Sequence, residues 1–402
     1  MITVIDSPYR YAPVGQKLMF VVSSTNSANS GFRYVFTING VSVYVQPNPS
    51  GKGMLDIEPI IREIVGADNS AQSSRLSIAQ VDMYTCEVSV QEGWLVGGVF
   101  TLQGSATTLD TCYFFKGSED LSNGFKPNPS TRYGMNGDTK YLMSELNRHT
   151  FEHVRPTWLG ANDIYHECYL SDWGIVFFSS ATSLLTNTIE SIYVETLDSN
   201  HLVLSYNTYA VGSEDYYKYV FGIYPQNLQN DGWDLTDVKY IRYQLIDYIG
   251  GNASRSYVLG IIDDECKFDK IRLQWDNQVG GYDYWNFTKK SELTYNYERK
   301  QYTKPLGTYG SSTFIFSSGD RMSTDRRVTT TKGLVINTDW LSKAQYEFLN
   351  SLLRSDNVNI VNGDGSHTPV LIDANTLTIP DSRYSKLYQL TLNVKYSQPL
   401  NV

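Results

Sequence analysis

The sequence predicts a mainly β protein, with two or three antiparallel β-sandwich or barrel-like domains and a few short helices. Three observations carry that prediction. Tyrosine is the outlying residue, with 31 copies in 402, and Tyr, Val, Ile and Thr fit a pleated, half-buried surface. Apolar and polar residues alternate over short runs along much of the chain, the period of two that a strand needs. Asn39-Gly40 separates two such runs, and this dipeptide supplies the positive φ values of a two-residue hairpin. At roughly 150 residues per domain the length calls for two or three units.

The first unit, 1–118, reads as a β-sandwich domain with strands over 17–24, 32–38 and 41–46 and a loop over 47–53. Leu55, Ile57, Ile60, Ile61 and Val65 then fall at roughly helical spacing and predict a short helix over 54–65. Further strands are expected over 84–90, 99–102 and 112–115. Residues 119–150 form the next unit, its first part rich in Gly, Pro, Asn and Ser. It reads as a linker or an assembly arm.

The central unit, 151–305, predicts strands over 175–179, 191–196, 202–206, 217–224, 238–246 and 257–262. A hairpin follows over 271–287, turning at 276–281. The last unit, 306–402, holds a helix over 342–354. Ser342 is its N-cap, Gln345 completes a capping box, and Leu349, Leu352 and Leu353 carry the buried face. Strands are expected over 358–361, 369–372 and 376–379. In 390–396, Leu390, Leu392, Val394 and Tyr396 alternate with polar residues, as in a strand with one wet face.

The net charge of -9 argues against specific nucleic-acid binding, which needs Lys and Arg to neutralise phosphates. No apolar run is long enough for a membrane-spanning helix. Residues 1–6 lack a basic leader region and 18–22 are too few for its apolar stretch, so synthesis in a cytoplasm is expected. Cys86, Cys112, Cys168 and Cys266 are widely spaced, with no CxxC pair, which predicts reduced thiols rather than a metal knuckle.

One catalytic-looking motif stands out. His149-Thr-Phe-Glu152-His153 matches H-x-x-E-H. On a helix the two histidines would share one face around zinc, with Glu152 as general base. Pro156 ends any such helix, and the strands downstream offer no helix for a third ligand. The match reads as accidental, and no metal or cofactor is expected.

His166-Glu167-Cys168 and Asp263-Asp264-Glu265-Cys266 are the other clusters of ligand-type residues. Neighbours on a strand point to opposite faces, so neither is a compact site by itself. There is no nucleophile elbow, P-loop or dinucleotide fingerprint, and the chain is expected not to be an enzyme. Trp275, Tyr282, Tyr284 and Trp285 form the densest aromatic set. They are candidates for an interface or a stacked ligand.

Several stretches resemble a family of structural proteins of tailed bacteriophages, especially phages of Bacteroidetes. The first is Ile-Arg-Leu-Gln-Trp-Asp-Asn-Gln-Val-Gly-Gly-Tyr-Asp-Tyr-Trp-Asn-Phe over 271–287. The others are Trp340-Leu341-Ser342, the runs 349–355, 358–360, 369–372 and 386–392, and the opening runs 20–24, 32–38 and 47–53. Together they cover roughly half the chain. They are framework motifs and bring no catalytic residue with them.

The resemblance implies a virion protein of the tail, baseplate or neck. It implies partners among copies of itself, in a ring or other symmetric homo-oligomer, and among other virion proteins. The alternative readings are a receptor- or glycan-binding fibre or head-decoration protein, and a cell-wall or polysaccharide hydrolase.

Overall fold

A computed structural model describes residues 1–8, 11–15, 17–65, 79–81, 84–109, 111–117, 142–149, 151–152, 154–180, 189–211, 217–247, 249–262, 267–309, 312–315, 317–319, 321–373 and 388–398. The structure is mainly β, arranged as several separate sheets with three short α-helices among the described residues. No helix among them is long and apolar enough to cross a membrane.

The N-terminal part holds three small sheets. Met19–Ser24 lies between Ile2–Asp6 and Lys52–Asp56. A four-stranded sheet runs in the order Val99–Thr108, Val88–Val96, Arg33–Ile38, Val41–Val45. The last two strands pair Ile38 with Val41. Asn39 and Gly40 between them have φ of 45° and 84°, as a primed hairpin turn demands. Tyr11–Pro13, Cys112–Phe115 and Tyr84–Cys86 form the third sheet.

Phe20, Tyr34, Phe36 and Ile61 meet in a common core. The helix expected over 54–65 is shorter than its apolar spacing predicts. Residues 54–56 extend as a strand paired with 19–21, and the helix (α1, Glu58–Ile64) starts with a proline in its first turn.

A second, larger core draws on residues from Phe115 to Val394. One five-stranded sheet has the order Ile164–Tyr169, Tyr257–Ile262, Tyr240–Asp247, Ile189–Leu197, Val203–Ala210, with the first pair parallel. A three-stranded sheet joins Ile175–Ser180 and Tyr217–Gly222 to Ala79–Val81. A strand from the first expected unit therefore pairs across to the central one.

A seven-stranded antiparallel sheet runs Tyr282–Phe287, Ile271–Asp276, Val358–Val361, His367–Ile372, Thr391–Tyr396, Ser323–Asn337, Glu292–Thr303. It draws strands from both sides of the boundary expected at 305. Its two edge strands are joined by residues 288–291 alone. Seven flat strands at about 4.8 Å spacing would put the edges roughly 29 Å apart, whereas five Cα steps reach at most about 18 Å. The sheet must therefore coil strongly, although its edges do not pair with each other among the described residues.

The two other helices are Pro225–Asn230 (α2) and Lys343–Arg354 (α3). Helix α3 keeps the capping box expected of it. The Ser342 hydroxyl accepts from the Gln345 N–H at 3.3 Å, and the Gln345 side chain accepts from the Ser342 N–H at 3.0 Å. The helix buries Phe348, Leu349 and Leu352 in the larger core.

Of the expected arm 119–150, residues 119–141 and 150 lie outside the described residues, as do strand 376–379 and the cluster 263–266. The described end of that segment is built into the core. The Met143 N–H donates to the Phe177 carbonyl at 2.7 Å, and Leu142, Met143 and Leu146 are buried. The projecting element lies elsewhere, in a region where no strand was expected. Glu292–Thr303 and Ser323–Asn337 form a ribbon with twelve registered pairs. All residues of its outer strand are exposed, and only the base, 333–337, pairs on its other side, with 391–395.

Candidate functional site

The aromatic hairpin 271–287 is gripped on both faces. Asp172, fully buried, accepts from Arg272 Nη1 at 3.0 Å, Asn286 Nδ2 at 2.7 Å and the Tyr169 N–H at 3.0 Å on one carboxylate oxygen. Lys270 Nζ donates to the other at 2.7 Å. Burial opposes the charge on Asp172, but Arg272 and Lys270 hold its carboxyl below the ordinary value. Arg272 Nε donates to the Trp173 carbonyl at 2.9 Å. Its guanidinium lies 4.5 Å from the Tyr224 ring and 4.6 Å from the Tyr284 ring. Among the described residues Nη2 has no hydrogen-bond partner, and the two rings offer the guanidinium their π faces instead.

The hairpin turn is docked as well. Asn277 Nδ2 donates to the Met143 carbonyl at 2.9 Å, and its Oδ1 accepts from the Val279 and Gly281 N–H groups at 3.0 and 2.9 Å. A Cβ at Gly281 would lie 1.9 Å from the Met143 oxygen, so only glycine permits this approach. Asp283 accepts from the Ser144 hydroxyl and the Glu145 N–H. Burial pushes its carboxyl up to about 6 against those hydrogen bonds.

This packing corrects most of the expected aromatic site. Trp275 is fully buried, and its Nε1 donates to Ser351 Oγ of α3 at 2.9 Å. Tyr282 packs edge-on against Phe177 with centroids 4.9 Å apart. The Tyr284 hydroxyl accepts from the Ile175 N–H at 3.0 Å. These three are core residues, because both faces of the hairpin are covered. Trp285, by contrast, lines a cavity.

That cavity, of about 320 Å³, is where the chemistry-bearing side chains converge. His166, Glu167, Trp285, Thr288, Trp340 and Gln345 are among the residues lining it. His166 is 5% exposed, and neither ring nitrogen has a hydrogen-bond partner among the described residues. Its neighbours are rings, with Trp285 at 5.9 Å and Phe151 at 6.1 Å. Burial first, then the nearby Arg272, pushes its pKa down to about 3, so the imidazole is neutral at physiological pH. Burial raises the Glu167 carboxyl.

Adjacent strand residues were expected not to share a site, yet His166 and Glu167 line one cavity. Their strand is the edge of its sheet, where one space can be lined from both faces. Trp340, 58% exposed just before the α3 cap, had no distinguishing signal as a site residue in the sequence.

The described residues of the H-x-x-E-H segment, 149, 151 and 152, are not helical. Glu145–Arg148 is a single 3-10 turn, and His149 follows it in extended conformation, with φ -121° and ψ 119°. The His149 ring packs edge-on to Phe348 at 6.0 Å, and burial lowers its pKa. Glu152 is exposed and His153 lies outside the described residues. Among those residues no three His, Cys, Asp or Glu side chains gather as a metal site. Cys86, Cys112 and Cys168 are buried and in no disulfide among the described residues, and Cys266 lies outside the described residues.

No family model matches the chain, and no curated protein matches it. Two solved structures align with it at low likeness. One is a Ca2+-stabilised adhesin that helps an Antarctic bacterium bind ice, at 9% identity and a TM-score of 0.21, covering 84% of this chain and 69% of that one. The other concerns a 1.5-MDa bacterial ice-binding adhesin, at 12% identity and a TM-score of 0.20, covering 84% of this chain and 92% of that one. At such scores the likeness carries no argument about fold or function.

Proposed function

We propose that the chain is a structural component of a tailed-phage particle, of the tail, baseplate or neck, that works by homo-oligomeric assembly, with the ribbon 292–337 as its docking arm. The observation that carries this reading is the ribbon itself. Its outer strand is exposed at every position and forms the edge of the seven-stranded sheet, so one side offers unpaired N–H and C=O groups to another chain. Tyr295, Tyr297, Leu293 and, nearer the tip, Phe314 and Ile315 are exposed on it. Such residues are costly to leave in water and useful at an interface.

Charge gives the arm a partner. Residues 292–337 hold seven Lys or Arg against four Asp or Glu, a net +3, which leaves -12 on the remainder of a chain whose total is -9. A basic arm on an acidic body is complementary to the body of the next copy. The placement in a phage particle rests on the framework motifs of the sequence.

The test is to excise 297–330 and join Asn296 to Thr331, which pair directly, through an Asn-Gly turn. Light scattering after size exclusion should show an oligomer for the full chain, weakened by salt, and a folded monomer for the shortened one. A full chain that stays monomeric at tens of micromolar, or a shortened chain with the same oligomer, would refute the arm. Mass spectrometry of purified particles tests the virion placement.

A further inference from the structure

We propose that the cavity between Trp285 and Trp340 is a binding site for a neutral saccharide. The site has the two parts that carbohydrate recognition requires. Trp285 and Trp340 both line the cavity, and a pyranose ring presents apolar C–H faces that stack on aromatic surface. Around them stand polar groups with no hydrogen-bond partner among the described residues. His166 is nine-tenths buried with both nitrogens unengaged. Gln345 commits its amide oxygen to the helix cap and leaves its NH2 free among the described residues. The Thr288 hydroxyl and Glu167 carboxylate likewise have no hydrogen-bond partner among the described residues, and both line the cavity. His166 and Gln345 are buried and Glu167 and Thr288 half-buried, and a ligand rich in hydroxyls would pair with all four from within the one cavity that they line.

Charge narrows the ligand class. The carboxylates at the cavity are Glu167 and Asp339. The adjacent Lys289 is committed to Asp339 at 2.7 Å, and Lys270 to Asp172. Among the described residues lining the cavity there is no Lys or Arg for a phosphate, sulfate or carboxylate, and Glu167 repels one. A quaternary ammonium would suit the tryptophans and the carboxylate. It would leave the His166, Gln345 and Thr288 donors unsatisfied, at the cost of desolvating each. A neutral sugar satisfies both sets. The volume falls in the range of small-ligand pockets.

The full-length protein should be probed by saturation-transfer NMR and calorimetry with the methyl glycosides of glucose, galactose and N-acetylglucosamine. Glucose 6-phosphate and choline serve as charged controls. At least one neutral glycoside should bind tenfold or more tightly than either control. Trp340→Ala and Glu167→Gln should each weaken it tenfold or more with an unchanged melting temperature. Trp340 is exposed, so its loss leaves the core intact, whereas Trp285 packs against Phe151 and Phe348. Absence of saturation transfer to all three glycosides, preference for choline or glucose 6-phosphate, or wild-type binding by both variants would overturn the proposal. The readout is independent of oligomeric state, so failure here leaves the docking arm untouched, and the converse holds.

Discussion

Two neighbouring hairpins in one sheet share a composition and have opposite fates. The hairpin 271–287 and the ribbon 292–337 are separated by four residues, and each carries tyrosines at strand positions. In the first, Trp275 and Phe287 on one face are buried, and Tyr284, Arg272 and Gln274 on the other are covered as well. In the second, Tyr295, Tyr297 and Tyr302 are all exposed. The difference lies in what each strand meets. The hairpin is held by Asp172, by the segment 142–145 and by helix α3. The ribbon grows past the sheet, and only its base keeps a second neighbour. A tyrosine-rich strand pattern therefore specifies a strand and leaves its burial to distant partners.

The largest expected effect comes from breaking the grip on the hairpin. Arg272→Ala leaves Asp172 buried without its guanidinium, and should cost about 3–5 kcal/mol in urea unfolding. Asp172→Ala in the same chain should return part of that loss, because the two effects are not additive. Trp275→Ala removes a fully buried side chain and should cost about 3–5 kcal/mol. Tyr297→Ala on the ribbon should change stability by no more than about 0.5 kcal/mol. Equal costs at Trp275 and Tyr297 would break the comparison.

A smaller effect is set by pH. The folded Asp283 carboxyl titrates near 6, above its ordinary 3.8. A raised carboxyl pKa means the folded state holds more protons than the unfolded state between those values. The contribution of Asp283 is thus present below about pH 4 and lost as pH rises through about 6. His166 acts in the opposite sense. Its depressed pKa gives a contribution present above its ordinary 6.5 and lost as pH falls towards about 3. The clean readout is the difference between the wild type and Asp283→Asn. Between pH 4 and 7 the melting temperature of the wild type should fall relative to the variant, and parallel profiles would exclude the assignment. The smallest effect belongs to the exposed ribbon pair Arg299–Asp325, at 2.7 Å. Arg299→Ala should leave the melting temperature unchanged, since water and salt screen such pairs.

Parts of the candidate site were legible in the sequence and parts were not. Trp285 stood out in its aromatic cluster and His166-Glu167 as neighbouring ligand types. Trp340, Thr288 and Gln345 carried no sign of a shared cavity, because their runs show ordinary loop and cap chemistry. The H-x-x-E-H match shows the reverse hazard. Its meaning depends on a helix, and the local chain forms a 3-10 turn and extended backbone instead. A motif carries its chemistry only with the geometry it presupposes.

The sequence by itself determined what depends on a few adjacent residues. The primed turn at Asn39-Gly40, the capping box at Ser342 and Gln345, the hairpin 271–287 and the strand-rich composition are all set by backbone preferences and hydrogen bonds that close within several residues. Tertiary structure decided which strands became neighbours. It placed Ala79–Val81 beside Tyr217–Gly222, gathered 271–396 into one coiled sheet, covered Trp275 and opened a cavity at Trp285. These pairings join residues far apart in the chain. Any alternating strand can pair with many others, and the choice is made by burial and fit over the whole core.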